Sequence, residues 1–353
     1  MHENITKKLA ALSTGVGLVL LCYMAYATIY GPYKTTFVHL AIFALCSFVA
    51  LFLDSITQNM ESKFGILKNS LLLVISVSVL GYFIIEFERL INLWGSTYLS
   101  SWDILLGGFF VIICIEASWR QSVVLGTLAI VACFYMLFGD YLPGIFSHAG
   151  MDFERFIYIV VYTSEGLFGT GLKVAATYLF MFIILGSVLR VTKTGDFMID
   201  MANGLLGSKV GGAAKGAMVA SAGLGTIVGS SIGNVLATGT FTIPLMKRTG
   251  FEPHVAAAVE TNTSEGAQLV PPILGASAFI MAQLTGIPYE VIALAAVVPA
   301  SLYYFSLYTV VHIEALKHNI SGLPDDEIPS IKKTFTRGWH LLVAPISLFY
   351  LLL

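Results

Sequence analysis

Long uncharged apolar stretches, separated by short clusters of charge, dominate the sequence. The clearest are Leu9–Tyr33, Thr35–Leu53, Gln121–Gly139 and Val291–Ile313. Each is close to the ~20 residues that an α-helix needs to cross a bilayer. Lipid offers no hydrogen-bond partner to the backbone, and the runs are continuous rather than alternating. The pattern therefore predicts an all-α polytopic membrane protein with about nine to ten membrane segments.

The order of the basic residues predicts how the chain crosses the membrane. The predicted spans cover residues 10–30, 36–53, 69–87, 103–117, 120–138, 174–191 and 288–312, with a last span beginning near Trp339. If the spans alternate in direction, one side of the membrane receives Lys7, Lys8, Lys63, Lys68, Arg120, Arg190 and Lys193. Because basic residues favour the cytoplasmic side, the N-terminus is predicted to be cytoplasmic. The long connection 140–173 then faces outward, as a structural loop or as a docking site for an external partner.

Composition narrows the possible functions. Hydrophobic residues make up 57% of the 353 residues and charged residues 11%, with a mean hydropathy of +0.83, against about 45–50% and about 25% in soluble domains. The net charge of −2, without a basic block, gives no support for a nucleic-acid partner. The sequence has no phosphate-binding loop, metal-binding histidine spacing or catalytic constellation. We therefore expect neither an enzyme nor a bound cofactor.

The stretch from about residue 216 to 248 is rich in glycine and almost free of charge. One interpretation is a single span in which Gly225, Gly229 and Gly233 form a close-packing stripe. The other is a re-entrant hairpin, which enters and leaves the membrane from the cytoplasm. We favour the hairpin, because a single crossing would place Lys247 and all later basic residues outside.

The turn of the predicted hairpin is polar, since it carries Gly229, Ser230, Ser231 and Asn234. A turn at membrane depth is tolerated only where protein or a wet cavity surrounds it. Hydroxyl, amide and carbonyl oxygens suit a small cation, and N–H groups at a helix start suit an anion. The same side chains can instead serve only to hold helices together.

A second polar segment, from Glu260 to Gln268, runs into two consecutive prolines. Pro271 and Pro272 cannot donate backbone hydrogen bonds, and each clashes with the carbonyl four residues before it. The sequence therefore predicts a broken helix over about residues 254–285, with carbonyl groups left free at the break.

Two glutamates lie in this segment. Glu260 shares a helical face with Thr263 and Ser264, whereas Glu265 points elsewhere. Ionisable residues at membrane depth by default indicate an ion or substrate pathway. The alternative is that both glutamates lie shallow enough to reach water.

The runs GSSIGNVLATGTFTIPLMKRTGF (229–251) and VETNTSEGAQLVPPILGASAFIMA (259–282) resemble the large membrane subunit of tripartite ATP-independent periplasmic (TRAP) transporters. The likeness is greatest to the branch in which the small and large membrane subunits are fused. It implies a small-subunit-like four-helix region over residues 1–118 and the first half of the large-subunit-like transport region over residues 119–353. Large subunits of this family contain two inverted repeats, each with its own hairpin, and this sequence contains one. We therefore expect a longer gene product or a second polypeptide to supply the missing half of the transport core.

The resemblance also implies a sodium-coupled symporter in a bacterial or archaeal inner membrane. Such a permease imports small organic acids or related carboxylates by elevator-type movement, and a periplasmic solute-binding protein delivers them. By position, the substrate and ion site would consist of Gly229, Ser230, Ser231, Asn234, Thr263, Ser264, Glu265, Gly266 and Gln268. Na⁺ would bind at Ser231, Asn234, Thr263 and Ser264.

One position departs from the family pattern. Large subunits more often have a small residue where this sequence has Glu265. A carboxyl group in a low dielectric can carry a proton, so Glu260 and Glu265 are candidate coupling carboxylates and H⁺ is an alternative to Na⁺. Two rival functions stay open: a non-transporting membrane scaffold, in which the glycines serve packing, and an intramembrane enzyme that uses a glutamate for acid–base chemistry.

Overall fold

The computed structural model describes residues 2–58, 62–92, 99–192, 194–343 and 346–347. All regular structure in these ranges is helical, which confirms the all-α prediction. Seven helical stretches in the described ranges are long and apolar enough to cross a membrane: Thr6–Tyr30, Thr36–Gln58, Lys63–Ile85, Ser101–Gln121, Val123–Tyr141, Thr170–Val188 and Tyr289–Lys317. Thr170–Val188 includes a π-helical segment at Ala175–Leu179, with an α-helix on each side. A shorter apolar helix spans Ala276–Thr285. The chain is therefore a polytopic membrane protein.

The chain forms two compact units, Met1–Ala176 and Thr177–Leu353. The helices of unit 1 are α1 (His2–Tyr30), α2 (Thr36–Gln58), α3 (Lys63–Ile85), α4 (Phe87–Asn92), α5 (Ser101–Gln121), α6 (Val123–Phe138), α7 (Phe153–Tyr162) and α8 (Thr170–Val174). Helix α2 packs against both α1 and α3. The core is aromatic: the ring of Phe83 lies edge-on to those of Phe110, Tyr162 and Phe168.

A buried carboxylate ties three helices of unit 1 together. Asp103, which is fully buried, accepts hydrogen bonds from Arg89 Nη2 at 2.7 Å and Tyr82 Oη at 2.6 Å. It also closes a capping box with Ser100 at the start of α5. Since Tyr82 belongs to α3 and Arg89 to α4, this ion pair fixes the turn between these helices against α5.

Unit 2 contains the segments that the sequence singled out. Its helices are α9 (Phe180–Val191), α10 (Thr194–Leu206), α11 (Gly212–Val228), α12 (Ser231–Arg248), α13 (Pro253–Gly266), α14 (Ala276–Thr285), α15 (Tyr289–Lys317) and α16 (Ile331–Gly338). Small side chains dominate the core where α11, α13 and α15 meet, with Ala213, Ala217, Ala256 and Ala315 all buried. Small residues let helix backbones approach closely.

The helix ends differ from several predicted boundaries. Helix α3 begins at Lys63 rather than 69, because Ser62 caps it by accepting a hydrogen bond from the N–H of Gly65. The predicted outward loop 140–173 contains helix α7. The predicted last span from Trp339 begins as a short 3₁₀ turn, Trp339–Leu342, and most of its remainder lies outside the described residues. Lys193, which helps to predict the topology, also lies outside them. The division predicted near residue 118 concerns subunit origin and stays a prediction.

Candidate functional site

Helices α11 and α12 form an antiparallel hairpin, which decides between the two interpretations of the glycine-rich stretch. The turn consists of Gly229 and Ser230. Gly229 has φ +59°, a left-handed conformation that glycine adopts without strain. Ser230 then caps α12, since its Oγ accepts from the N–H of Gly233 at 3.3 Å. The structure therefore shows a helical hairpin. That it is re-entrant, entering and leaving the membrane from the cytoplasm, stays a prediction.

The helix break follows at the predicted prolines. Helix α13 ends at Gly266, a 3₁₀ turn covers Ala267–Leu269, and α14 begins only at Ala276. Tyr289 of α15 supports the non-helical part, because its hydroxyl donates to the carbonyl of Pro272 at 2.7 Å and accepts from the N–H of Leu274 at 3.1 Å. One side chain therefore satisfies two backbone groups that the break leaves without helical partners.

The hairpin tip packs directly on the helix break. The N–H of Ile273 donates to the carbonyl of Thr226 at 3.3 Å. Gly225 lies so close to Ala267 that a Cβ atom at this glycine would collide with it. Gln268 Nε2 donates to Ser231 Oγ at 3.1 Å. Two segments that are about forty residues apart in sequence thus form one polar junction.

A buried network of oxygen atoms lies next to this junction. Glu260, 1% exposed, is its centre. Thr238 donates to Glu260 Oε1, Thr242 donates to Oε2 at 2.6 Å, and Ser264 donates to Oε1 at 3.4 Å. No Lys, Arg or His side chain lies within 4 Å of this carboxylate in the described ranges. Among the described residues, its hydrogen-bond partners are therefore all hydroxyl groups.

Asn234 belongs to the same network and lies near the turn of the hairpin. Its Nδ2 donates to the carbonyl of Ser221 at 3.0 Å and to Ser221 Oγ at 2.8 Å. Ser221 Oγ lies 3.4 Å from Ser264 Oγ. Asn234 Oδ1 is buried and has no hydrogen-bond partner among the described residues. Burial of an unpaired acceptor is costly, so this oxygen fits a ligand that accepts its lone pairs, such as a cation.

The predicted site residues fall into three groups by exposure. Glu260, Asn234, Thr263, Ser264 and Gly266 are buried, whereas Ser230 and Glu265 are exposed and Gly229, Ser231 and Gln268 are partly exposed. The hydroxyl group of Thr263 donates to the carbonyl of Val259 at 2.6 Å, within its own helix. Of the four predicted Na⁺ ligands, only Asn234 and Ser264 contact the same atom, Ser221 Oγ.

Three members of the buried network were not predicted from the sequence: Ser221, Thr238 and Thr242. A signal for two of them was present, because Asn234, Thr238 and Thr242 are spaced by four residues and therefore share one face of a helix. That face meets α13 at Glu260. Ser221 carries no comparable signal, since only the folding of the hairpin brings it opposite Asn234.

Comparison with known proteins is consistent with this architecture. Residues 106–353 match the family model described as Tripartite ATP-independent periplasmic transporter, DctM component. The chain is similar to the C4-dicarboxylate TRAP transporter large permease protein DctM of Pseudomonas aeruginosa, with 28% identity over 171 residues, which are 47% of this chain and 39% of that protein. It is also similar to the uncharacterized protein YgiK of Salmonella typhimurium, with 24% identity over 140 residues, or 39% of this chain and 32% of that protein. The matched region thus spans less than half the length of either relative.

Proposed function

Because the chain belongs to the DctM component family of TRAP transporters, we propose that it forms part of a membrane permease that imports small organic acids by using an ion gradient. A periplasmic solute-binding protein delivers the solute, and a further polypeptide segment supplies the second half of the transport core. Residues 1–118 act as a fused small subunit. The start of the family match at residue 106 supports this division.

The observation that carries the proposal is that the hairpin tip and the helix break meet next to the buried oxygen network. Broken helices and hairpin tips expose oxygen atoms that coordinate Na⁺ or bind H⁺ in secondary transporters. Asn234 Oδ1, Ser221 Oγ and Ser264 Oγ are the oxygens that would hold Na⁺ here. Glu260 lies next to Ser264 and supplies negative charge for Na⁺ or a carrier for H⁺.

Two helix starts at the junction favour an anionic solute. Helix α12 begins at Ser231 and α14 begins at Ala276, and Gly229 between α11 and α12 lies against Ile273 and Leu274 of the break. Free N–H groups and the positive end of the helix dipole at such starts attract carboxylates. The C4-dicarboxylates in the name of the P. aeruginosa relative are therefore the first solutes to test.

Uptake into proteoliposomes tests this function. The vesicles contain the full chain with the remaining transport core, and the cognate binding protein is added outside with a labelled dicarboxylate. We expect uptake that requires both the binding protein and an inward Na⁺ gradient. Uptake driven only by a proton gradient would support the importer function but would assign ion coupling to Glu260 and Glu265 instead of to Na⁺. No uptake under either gradient would contradict the proposal and favour the scaffold.

A pair of substitutions separates the importer from the scaffold. In an importer, Ser231→Ala and Asn234→Ala reduce uptake while the protein is still expressed, inserted and folded. In a scaffold, the same changes affect only folding and assembly. Uptake and thermal unfolding are therefore measured on the same preparations.

A further inference from the structure

Helix α16 and the 3₁₀ turn that follows it present three different faces. Thr334 and Gly338 are buried, and Gly338 packs so closely against Phe197 of α10 that it has no room for a side chain. These two residues are four apart and hold α16 against unit 2. The rest of its circumference is exposed.

Large apolar side chains line one of the exposed faces. Ile331 is 39% exposed, Phe335 46% and Trp339 56%, and successive members are four residues apart. On a helix this spacing makes a continuous stripe. A soluble protein rarely leaves such a stripe open, and tryptophan is enriched where a membrane meets water.

Basic side chains cover the remaining face. Lys332, Lys333 and Arg337 are all exposed. Neither lysine has a carboxylate within 4 Å among the described residues, and Arg337 lies 3.7 Å from Asp200 of α10. A short helix with an apolar stripe beside a basic face is typical of segments that lie in the headgroup region of a bilayer.

The position of α16 in the chain agrees with this pattern. It follows the end of membrane helix α15 at Lys317 and comes just before the predicted span that begins near Trp339. The topology predicted from the basic residues places it on the cytoplasmic side, where the leaflet carries anionic lipids. Three apolar side chains are also far fewer than the roughly 20–30 residues a side of a stable protein interface.

We propose that α16 lies in the inner-leaflet interface, with Ile331, Phe335 and Trp339 among the acyl chains and Lys332, Lys333 and Arg337 on anionic phospholipid headgroups. The apolar stripe determines how deep α16 lies in the bilayer, and the basic face gives it a preference for anionic lipids. The proposal concerns the membrane contact of unit 2 and does not rest on the transported solute or the coupling ion.

Spin labels on the full-length chain test the contact. In a background without Cys22, Cys46, Cys114 and Cys133, a label is placed at Phe335→Cys or, as the matched control, at the neighbouring exposed position Thr336→Cys. Collision with oxygen, which concentrates in lipid, is compared with collision with a nickel chelate in water. We expect oxygen to dominate several-fold at 335 and the chelate to dominate at 336. Equal access of the chelate to both positions overturns the proposal, and so does a label at 335 that neither reagent reaches, which indicates a protein partner.

Vesicle composition tests the preference for anionic lipid. The label at 335 is measured in vesicles of phosphatidylcholine alone and in vesicles that also contain about a third phosphatidylglycerol. Both measurements are repeated in a variant that combines Lys332→Gln, Lys333→Gln and Arg337→Gln. Each basic side chain strengthens attraction to an anionic surface roughly fivefold. We expect the triple change to lower the oxygen-to-nickel collision ratio only in the anionic vesicles. An identical ratio in both lipids overturns the headgroup assignment, and no result depends on uptake.

Discussion

Asn234 and Ser221 join the two arms of the hairpin, with Asn234 Nδ2 2.8 Å from Ser221 Oγ, while the buried amide oxygen of Asn234 has no hydrogen-bond partner among the described residues. A polar pair that only stabilised the hairpin would use both ends of the amide group. Here the amide nitrogen of Asn234 is hydrogen-bonded, whereas its amide oxygen has no partner among the described residues. The contact therefore joins the two arms and leaves this oxygen available to the ion site proposed above.

Replacing Asn234 by alanine is expected to reduce sodium dependence. The purified chain should unfold at a higher temperature in NaCl than in choline chloride, because a ligand that binds only the folded state stabilises it. In Asn234→Ala this sodium-specific shift should disappear, and half-maximal uptake should require roughly tenfold more Na⁺, equivalent to about 1.4 kcal/mol. Asn262→Ala is the control, since the side chain of Asn262 is exposed and, in the part of the chain that the structure describes, donates to the carbonyl of Ala258 in its own helix. An unchanged sodium shift in Asn234→Ala would remove this residue from the ion site.

The two glutamates are expected to differ in importance. Glu260 is buried among three hydroxyl groups, whereas Glu265 is exposed and contacts Gln268 at 3.2 Å. Glu260→Gln should lower gradient-driven uptake at least about tenfold, or ~1.4 kcal/mol in the barrier, because glutamine has nearly the same shape but neither charge nor an exchangeable acid proton. Glu265→Gln should keep most of the uptake. The measurement is the initial rate under Na⁺ and under proton gradients, and equal losses in both variants would contradict the assignment.

Gly225 is expected to tolerate no side chain. A Cβ atom there would collide with Ala267, whereas for one at Gly223 the nearest atom among the described residues is Met198 Sδ, at an ordinary contact distance of 3.7 Å. Overpacking of this kind costs about 1–3 kcal/mol of stability. Gly225→Ala should therefore lower the unfolding temperature and separate the hairpin tip from the break, while Gly223→Ala should leave both unchanged. Thermal unfolding in detergent compares the two, and similar midpoints would show that the tip and the break do not depend on this contact.

The sequence predicted the hairpin and the broken helix because their causes are local. Two prolines stop a helix wherever they occur, and the lysines on both sides of residues 216–246 restrict the number of crossings. Composition of the buried network was harder to predict, because Thr238 and Thr242 look like ordinary helix residues until α13 places Glu260 beside them.

Lys215 shows the limit of reasoning from charge. This lysine directly precedes the glycine-rich stretch, and lysines beside membrane segments normally lie solvated on the cytoplasmic side. In the structure it is 2% exposed, with its Nζ 2.9 Å from His312 Nδ1 and 4.7 Å from the centre of the Tyr308 ring. Helices α11 and α15 are far apart in sequence, so no local pattern indicates this contact.

Asp103 is expected to be a structural residue of unit 1. Its carboxylate accepts from Arg89, Tyr82 and the N–H of Ser100. An asparagine has a single acceptor oxygen, so Asp103→Asn should leave donors unpaired and lower the free energy of unfolding by about 1–3 kcal/mol. Glu86→Gln is the matched control, because this more exposed partner of Arg89 should contribute less than about 1 kcal/mol. Equal effects of the two changes on thermal unfolding would disprove the central role of Asp103.

Tyr289 is expected to hold the helix break in shape through its hydroxyl group. Tyr289→Phe keeps the ring that stacks on Phe279 at 4.3 Å but leaves the carbonyl of Pro272 and the N–H of Leu274 without this partner. Loss of buried hydrogen bonds of this kind costs about 1–3 kcal/mol. Tyr178→Phe is a close control, because its ring stacks on the same Phe279 at 5.2 Å. Hydrogen exchange of the amide of Leu274 should accelerate in Tyr289→Phe and stay unchanged in Tyr178→Phe. If neither variant changes this exchange, the prolines alone maintain the break and the hydroxyl group is dispensable.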